Sequence, residues 1–314
     1  MPPATPPVRG SILVTRGDTV LTQVNSGYAD TATGTPNSRQ TRYQLASISK
    51  QFTAAAVLLL AERHALALDD RIDRWIGGCP QSWGPITLHQ LLVHTSGLGH
   101  WKDYPTIDLT AGMAPDDLLA AFQQAGPLFE PGTGWHYSSP GYVLLAHVVQ
   151  RAADRPYRDF LTGEIFTPLG MDGTFAGAPG DRAGLARGHA ADRPVPSFEL
   201  DSVGMGAGDV WSTVDDMLTW LDALPAGRLL GPESLRLTFT EHAATVYGTE
   251  LRSYGYGWFI GSVNGERWRQ HSGDNAGFKA FAAWLPDSDR RLVILSNQDE
   301  TGPAAVHDLL AATA

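Results

Sequence analysis

The sequence predicts an α+β fold: one antiparallel β-sheet flanked by helices, plus a mainly helical subdomain. Three observations carry that expectation. Strand-like segments lie towards both ends of the chain, the middle is helical and loop-rich, and 314 residues suffice for one large domain. Gly10–Thr15 and Thr19–Val24 flank Arg16-Gly17-Asp18 and read as a hairpin. Tyr254–Ser262, Arg267–His271, Phe278–Leu285 and Arg291–Ser296 read as successive strands, with turns at Asn264-Gly265 and Pro286-Asp287. Helical patterns cover Phe52–Ala61, Thr87–Val93, Pro115–Gln124, Pro140–Ala152 and Ser212–Leu224, and Ala304–Ala312 reads as a closing helix. Strands from both ends would join one sheet. That places an α/β subdomain at about residues 8–65 and 200–314 and a helical subdomain at about 66–199 of a single domain, 1–314.

Composition narrows the function classes. A formal net charge of -10 without any basic block argues against a nucleic-acid partner, because phosphate contacts need clustered cations. The single cysteine, Cys79, excludes an internal disulfide framework. No His-Glu-x-x-His or Cys-x-x-Cys occurs, so neither a catalytic metal nor another cofactor is expected. The first seven residues, Met-Pro-Pro-Ala-Thr-Pro-Pro, lack the basic and apolar regions of a signal peptide. The apolar run Thr53–Ala61 is too short to span a bilayer. Read as printed, the chain is expected to be cytoplasmic, with a small-molecule substrate and no membrane partner; oligomeric state is open.

Lys50 is one of only three lysines, and it follows Ser47 by three positions at the start of the Phe52–Ala61 pattern. Residues i and i+3 of a helix share a face, so the Ser47 hydroxyl and Lys50 amine can meet. A serine becomes a competent nucleophile when an adjacent base takes its proton, and a lysine of lowered pKa can be that base. Taken alone, Ser-x-x-Lys fits a capping serine and a solvated lysine better. A second candidate is Tyr137, on a loop before the Pro140–Ala152 helix, where a phenol beside a cation could exchange protons. A third is His271-Ser272-Gly273, at the end of one predicted strand, where backbone N–H groups can hold an oxyanion and glycine permits close approach of substrate.

Together these segments resemble the serine β-lactamase and penicillin-binding protein superfamily, in its class C-like branch of esterases, D-peptidases and β-lactamases. The resemblance runs from about Ser11 to Asn297. Ser47-Ile48-Ser49-Lys50 matches Ser-x-x-Lys, Tyr137-Ser138-Ser139 the Tyr-x-Asn position, and His271-Ser272-Gly273 the Lys/His-x-Gly strand. Leu91–Leu98, Gly206–Asp216 and Tyr254–Trp258 are similar flanks, and no Gly-x-Ser-x-Gly elbow competes. His94 is read as a structural brace, and Gly204, Gly206 and Gly208 as a tight turn before the Ser212 helix. Two positions depart from the pattern. Ser139 replaces the usual Asn and offers no amide donor pair, and His271 replaces a cationic Lys. Little chain precedes the first strand, so the family's N-terminal helix is expected to be missing or reduced.

The resemblance implies a β-lactamase/transpeptidase-like fold with its site in a cleft between subdomains. It implies Ser47 as nucleophile, Lys50 and Tyr137 sharing the proton work, and Ser47 and Asp274 N–H groups as the oxyanion hole. His271, Gly273, Asp274 and Ser139 would face the substrate, with His271 assisting it or Tyr137. The expected activity is acyl-enzyme hydrolysis of small carboxylic esters. One alternative is a D-amino-acid peptidase, amidase or β-lactamase; another is a non-catalytic binding or scaffold member.

Overall fold

Eight antiparallel strands form the principal sheet: β1 (Gly10–Arg16), β2 (Thr19–Ser26), β3 (Ala243–Tyr247), β4 (Glu250–Tyr254), β5 (Phe259–Val263), β6 (Glu266–Asn275), β7 (Phe278–Leu285) and β8 (Arg290–Ser296). Their spatial order is β3-β4-β5-β6-β7-β8-β1-β2, so the two chain ends meet where β8 pairs with β1, Ser296 opposite Gly10. The computed structural model describes residues 8–191, 193–247, 250–300 and 304–313. The expected loss of an N-terminal helix falls on residues 1–7, outside the described residues.

The pleat of β1 and β8 builds two cores, because successive side chains point to opposite faces. Ile12, Val14, Leu292 and Ile294 pack on one face with Val306, Leu309 and Leu310 of the closing helix Ala304–Ala312. Leu13, Val293 and Leu295 face the larger core on the other side. That core is organised by α1 (Ser49–Glu62), whose residues Ser49 to Leu60 are all buried. From Ala54 to Leu60 the helix is apolar on every side, as suits a helix inside a protein, and its polar residues Ser49, Lys50, Gln51 and Thr53 gather at its first turns. Phe52 on α1 meets the rings of Phe166 and Trp220 at 5.4 and 4.5 Å. Burying one such side chain stabilises the fold by about 1.5–3 kcal/mol.

Of the remaining helices, three matter for the site: α2 (Leu88–Leu92), α3 (Pro115–Gln124) and α4 (Ser139–Ala153), of which α2 and α4 pack together and α4 packs on α1. Helix α5 (Val214–Ala223) begins where the Thr213 hydroxyl accepts from Asp216 N–H, and it lies against β1, β7 and β8.

Two strand expectations need correction. Tyr254–Ser262 is not one strand but the end of β4, a turn and β5. Gly255 and Gly257 make that turn: Gly257 has φ +79°, and Cβ atoms there would lie 2.3 Å from the Thr238 carbonyl and 2.9 Å from the Lys50 carbonyl. The strand read as ending at His271 continues to Asn275, so His271-Ser272-Gly273 lies within β6. Strand β3 carried no reading at all.

Candidate active site

Ser47 sits in the 3₁₀ turn Ala46–Ile48, immediately before α1. Ala46 is held at φ +48°, a left-handed conformation that a non-glycine residue adopts only when its surroundings impose it. The surroundings here are tight. Leu45 N–H donates to the Val210 carbonyl at 2.8 Å, and Val210 N–H donates to the Ser49 hydroxyl at 3.0 Å. On the other side β6 presses against the turn, since a Cβ on Gly273 would fall 2.1 Å from the Leu45 carbonyl. The absence of a side chain at Gly273 therefore serves contact between backbones, while its neighbours Ser272 and Asp274 face the cavity.

Lys50 is fully buried, with Nζ 3.0 Å from Ser47 Oγ and 2.8 Å from the Ala207 carbonyl. Burial drives its pKa well below the ordinary lysine value, and the buried Asp209 carboxylate opposes that only in part. Asp209 is itself pushed up to about 7 by burial. Ala207 belongs to the Gly204–Gly208 turn. Gly206 has φ +75°, and a Cβ there would lie 2.6 Å from Ala146 and 2.8 Å from the Tyr142 carbonyl of α4. The glycines thus form the expected tight turn, and it delivers a carbonyl to the lysine.

Tyr137 lies above Lys50, with Nζ 5.0 Å from its ring centroid, and is stacked parallel to Phe259. His94 frames it. His136 N–H donates to the His94 carbonyl at 3.0 Å and Ser138 N–H donates to His94 Nδ1 at 3.1 Å, so the bonds on either side of Tyr137 end on one residue. The imidazole also contacts the Tyr137 ring at 4.4 Å. This fits the reading of His94 as a brace and gives its target. Ser138 Oγ caps α4 by accepting from Gly141 N–H.

His271 is buried within β6. Its Nδ1 donates to the Ser272 carbonyl at 2.6 Å and its Nε2 lies 3.0 Å from the Tyr254 hydroxyl. Burial first, then the Lys50 charge, lowers its pKa to about 3, so the ring is neutral. Its centroid is 6.1 Å from that of Tyr137, and both nitrogens are engaged elsewhere, contrary to the expected assistance to Tyr137.

Ser47, Tyr137, Ser139, His271 and Asp274 line one cavity of about 440 Å³. Lys50 and Gly273 stand behind its wall. The Asp274 carboxylate is 2.5 Å from Lys279 Nζ. Sequence reasoning missed Asn275, whose amide donates to Gln44 Oε1 at 2.7 Å and the Gly208 carbonyl at 3.1 Å, tying β6 to both turns. It also missed the apolar wall of Trp101, Leu109, Phe198 and Phe259, and His100 beside it. Among the described residues, no group of His, Cys, Asp and Glu is placed to hold a metal ion, and no helix is long and apolar enough to cross a membrane.

Comparison with known proteins bears on this arrangement at three levels. Residues 9–314 match the family described as Beta-lactamase. Penicillin-binding protein 4* of Bacillus subtilis (strain 168) is 30% identical over 312 residues, covering 93% of this chain and 68% of the relative. Esterase EstB of Burkholderia gladioli is 32% identical over 285 residues, covering 78% and 72%. The crystal structure of a penicillin-binding protein from Bacillus halodurans superposes with a TM-score of 0.84 at 26% identity, over 97% of this chain and 95% of that one. With its matched length, its sheet order and its relatives in agreement, the chain belongs to the beta-lactamase family of serine hydrolases.

Proposed function

We propose that this protein hydrolyses small carboxylic esters through an acyl-enzyme on Ser47. The observation that carries the reading is the buried Lys50 amine, 3.0 Å from Ser47 Oγ and depressed in pKa by burial. A neutral amine in hydrogen-bond contact with a hydroxyl can take its proton as the oxygen attacks. Ser47 Oγ adds to the ester carbonyl, Lys50 accepts the Ser47 proton, and the oxyanion is held by the N–H groups of Ser47 and Asp274. Collapse breaks the bond to the leaving alkoxide, which is protonated through Lys50 and Tyr137. Water then attacks the acyl-enzyme, regenerating Ser47 and releasing the acid.

The choice of an ester rests on the cavity wall. Among the described residues, no Lys or Arg lines the cavity, His271 is neutral and doubly engaged, and the wall beside Trp101 and Phe198 is apolar. A peptide or β-lactam that presents a carboxylate finds no cation there, whereas a neutral ester needs none. The test compares specificity constants for p-nitrophenyl butyrate, a D-amino-acid p-nitroanilide and nitrocefin on one preparation, with fluorophosphonate labelling followed by peptide mapping. Hydrolysis led by the ester, with an adduct on Ser47 that Ser47→Ala abolishes, supports the reading. Nitrocefin or the anilide outpacing the ester would transfer it to β-lactam or amide hydrolysis, and an unlabelled protein would make it a binding member.

A further inference from the structure

The segment from Glu199 to Asp209 is a partition with a cavity on each side. Val203, Gly204 and Ala207 line the active-site cavity, while Asp201, Ser202, Met205 and Asp209 line a second cavity of about 130 Å³. That volume holds several waters or one small organic molecule. Its other walls come from α4, through His147 and Gln150, and from the helix Tyr157–Leu161, through Tyr157 and Arg158. Charge on these walls does not cancel. Arg158 is already paired with Asp201 at 2.9 Å. His147 is kept neutral, chiefly by burial, with a pKa of about 4, and burial holds the Tyr157 phenol un-ionised. Asp209 is the remaining acid. It is buried, its Oδ1 accepts from Gly206 N–H at 3.0 Å, and among the described residues no cationic side chain lies within ion-pair distance of it. Lys50 approaches from the far side of the turn, but burial depresses its own pKa. A buried carboxylate is costly unless a group of opposite charge meets it.

We infer that this second cavity binds a small organic cation with N–H donors, a guanidinium or an alkylammonium, that pairs with Asp209. The surfaces of Pro115, Pro156 and Met205 suit its alkyl part, and among the described residues no group is placed to hold a bare metal ion instead. An occupant there sits behind the turn whose Ala207 carbonyl holds Lys50 Nζ at 2.8 Å, and against the carboxylate whose charge bears on that amine. The site is independent of what Ser47 acylates, so it stands or falls apart from the ester reading.

Methylguanidinium chloride and methylurea match in size and differ in charge, and titration calorimetry at constant ionic strength reads their binding to the intact chain. At pH 8 methylguanidinium should fill one saturable site about tenfold more tightly than methylurea, the size expected for one charge-assisted contact. Asp209→Asn keeps an oxygen for Gly206 N–H and removes the charge, so that preference should vanish. Affinity for methylguanidinium should also fall about tenfold from pH 8 to pH 6, because Asp209 takes up a proton near 7. Arg158→Gln removes the cation already on the wall and should tighten binding, a check that leaves Asp209 untouched. Asp274→Asn, on the active-site cavity wall, should leave the affinity unchanged. Equal affinity for the two probes, or a preference that survives Asp209→Asn, would overturn the site. Loss of methylguanidinium binding in Asp274→Asn would move the cation to the active-site cavity and overturn it too. Acetate binding that Arg158→Gln abolishes would make the cavity an anion site, against the proposal.

Discussion

His271 Nε2 lies 3.0 Å from the Tyr254 hydroxyl, and that contact fixes what the third-motif position can contribute. The Ser272 carbonyl can only accept, so Nδ1 carries the ring proton and Nε2 accepts from Tyr254. A lysine at this position would bring a cation to the cavity; the histidine brings a neutral ring already satisfied on both sides. Because the ring titrates near 3, no pH between 5 and 9 converts it into an imidazolium. His271 is therefore expected to add no pH dependence over that range to any preference between neutral and anionic substrates.

On the proposed mechanism, Lys50 sets the acidic limb of the pH profile. It serves as a base only when neutral, and its folded-state pKa is depressed, so kcat/KM falls as pH falls through that lowered value and not through the ordinary lysine range. Lys50→Arg keeps a charge that does not titrate and should lose about two to four decades at every pH. A profile whose acidic limb lies near 10, or an active arginine variant, would contradict the assignment.

Lys50 and Tyr137 should behave as one unit. Nζ sits 3.0 Å from Ser47 Oγ and 5.0 Å from the phenol ring centroid. Lys50→Ala and Tyr137→Phe are each expected to lower kcat by about two to four decades. The double variant should be little worse than the poorer single one. Losses that multiply in full would show two independent contributions.

Gly273→Ala should damage both stability and turnover. Its Cβ would meet the Leu45 carbonyl at 2.1 Å, forcing β6 away from the turn that carries Ser47. Overpacking of this kind costs about 1–3 kcal/mol. Gly265→Ala is the control: its φ of +81° is strained for alanine, yet nothing lies within 4 Å, so turnover should be unchanged. Thermal melts and p-nitrophenyl butyrate turnover on the two variants separate the effects.

Ser139→Asn tests the second departure from the family pattern. An asparagine there adds an amide donor and acceptor to the cavity wall beside His100. Nitrocefin turnover should rise while hydrolysis of a plain short-chain ester stays the same. A parallel rise in both would mean that the substitution acts on Ser47 or Tyr137 and not on recognition.

Legibility in the sequence followed the kind of information each part needs. The helices came through because α3 and α4 have apolar spacing and Pro or capping signals in the residues themselves, α1 is a continuous apolar run from Ala54, and Pro115–Gln124 folds as read. The meeting of Ser47 with Lys50 follows from an i, i+3 spacing that holds in any helix. The extent of β6 was hidden because Ser272-Gly273-Asp274-Asn275 has the composition of a turn; packing against Leu45 and pairing with β7 hold it extended. The acceptor on Lys50 was hidden for a different reason. It is the carbonyl of Ala207, and a backbone carbonyl has no identity in a sequence. His100 and Asn275 were unreadable because each depends on where distant turns come together.

The pairing of β1 with β8 has a consequence for the order in which the protein acquires its chemistry. On the ribosome, Ser47 and Lys50 emerge early, while the strand that backs the nucleophile turn, β6, and the strand that joins the sheet to β1, β8, emerge more than 200 residues later. Until then the turn around Ala46 has no wall to hold its left-handed backbone. Nascent chains arrested before Glu266 should be blank to a fluorophosphonate, so that Ser47 stays inert until β6 backs its turn.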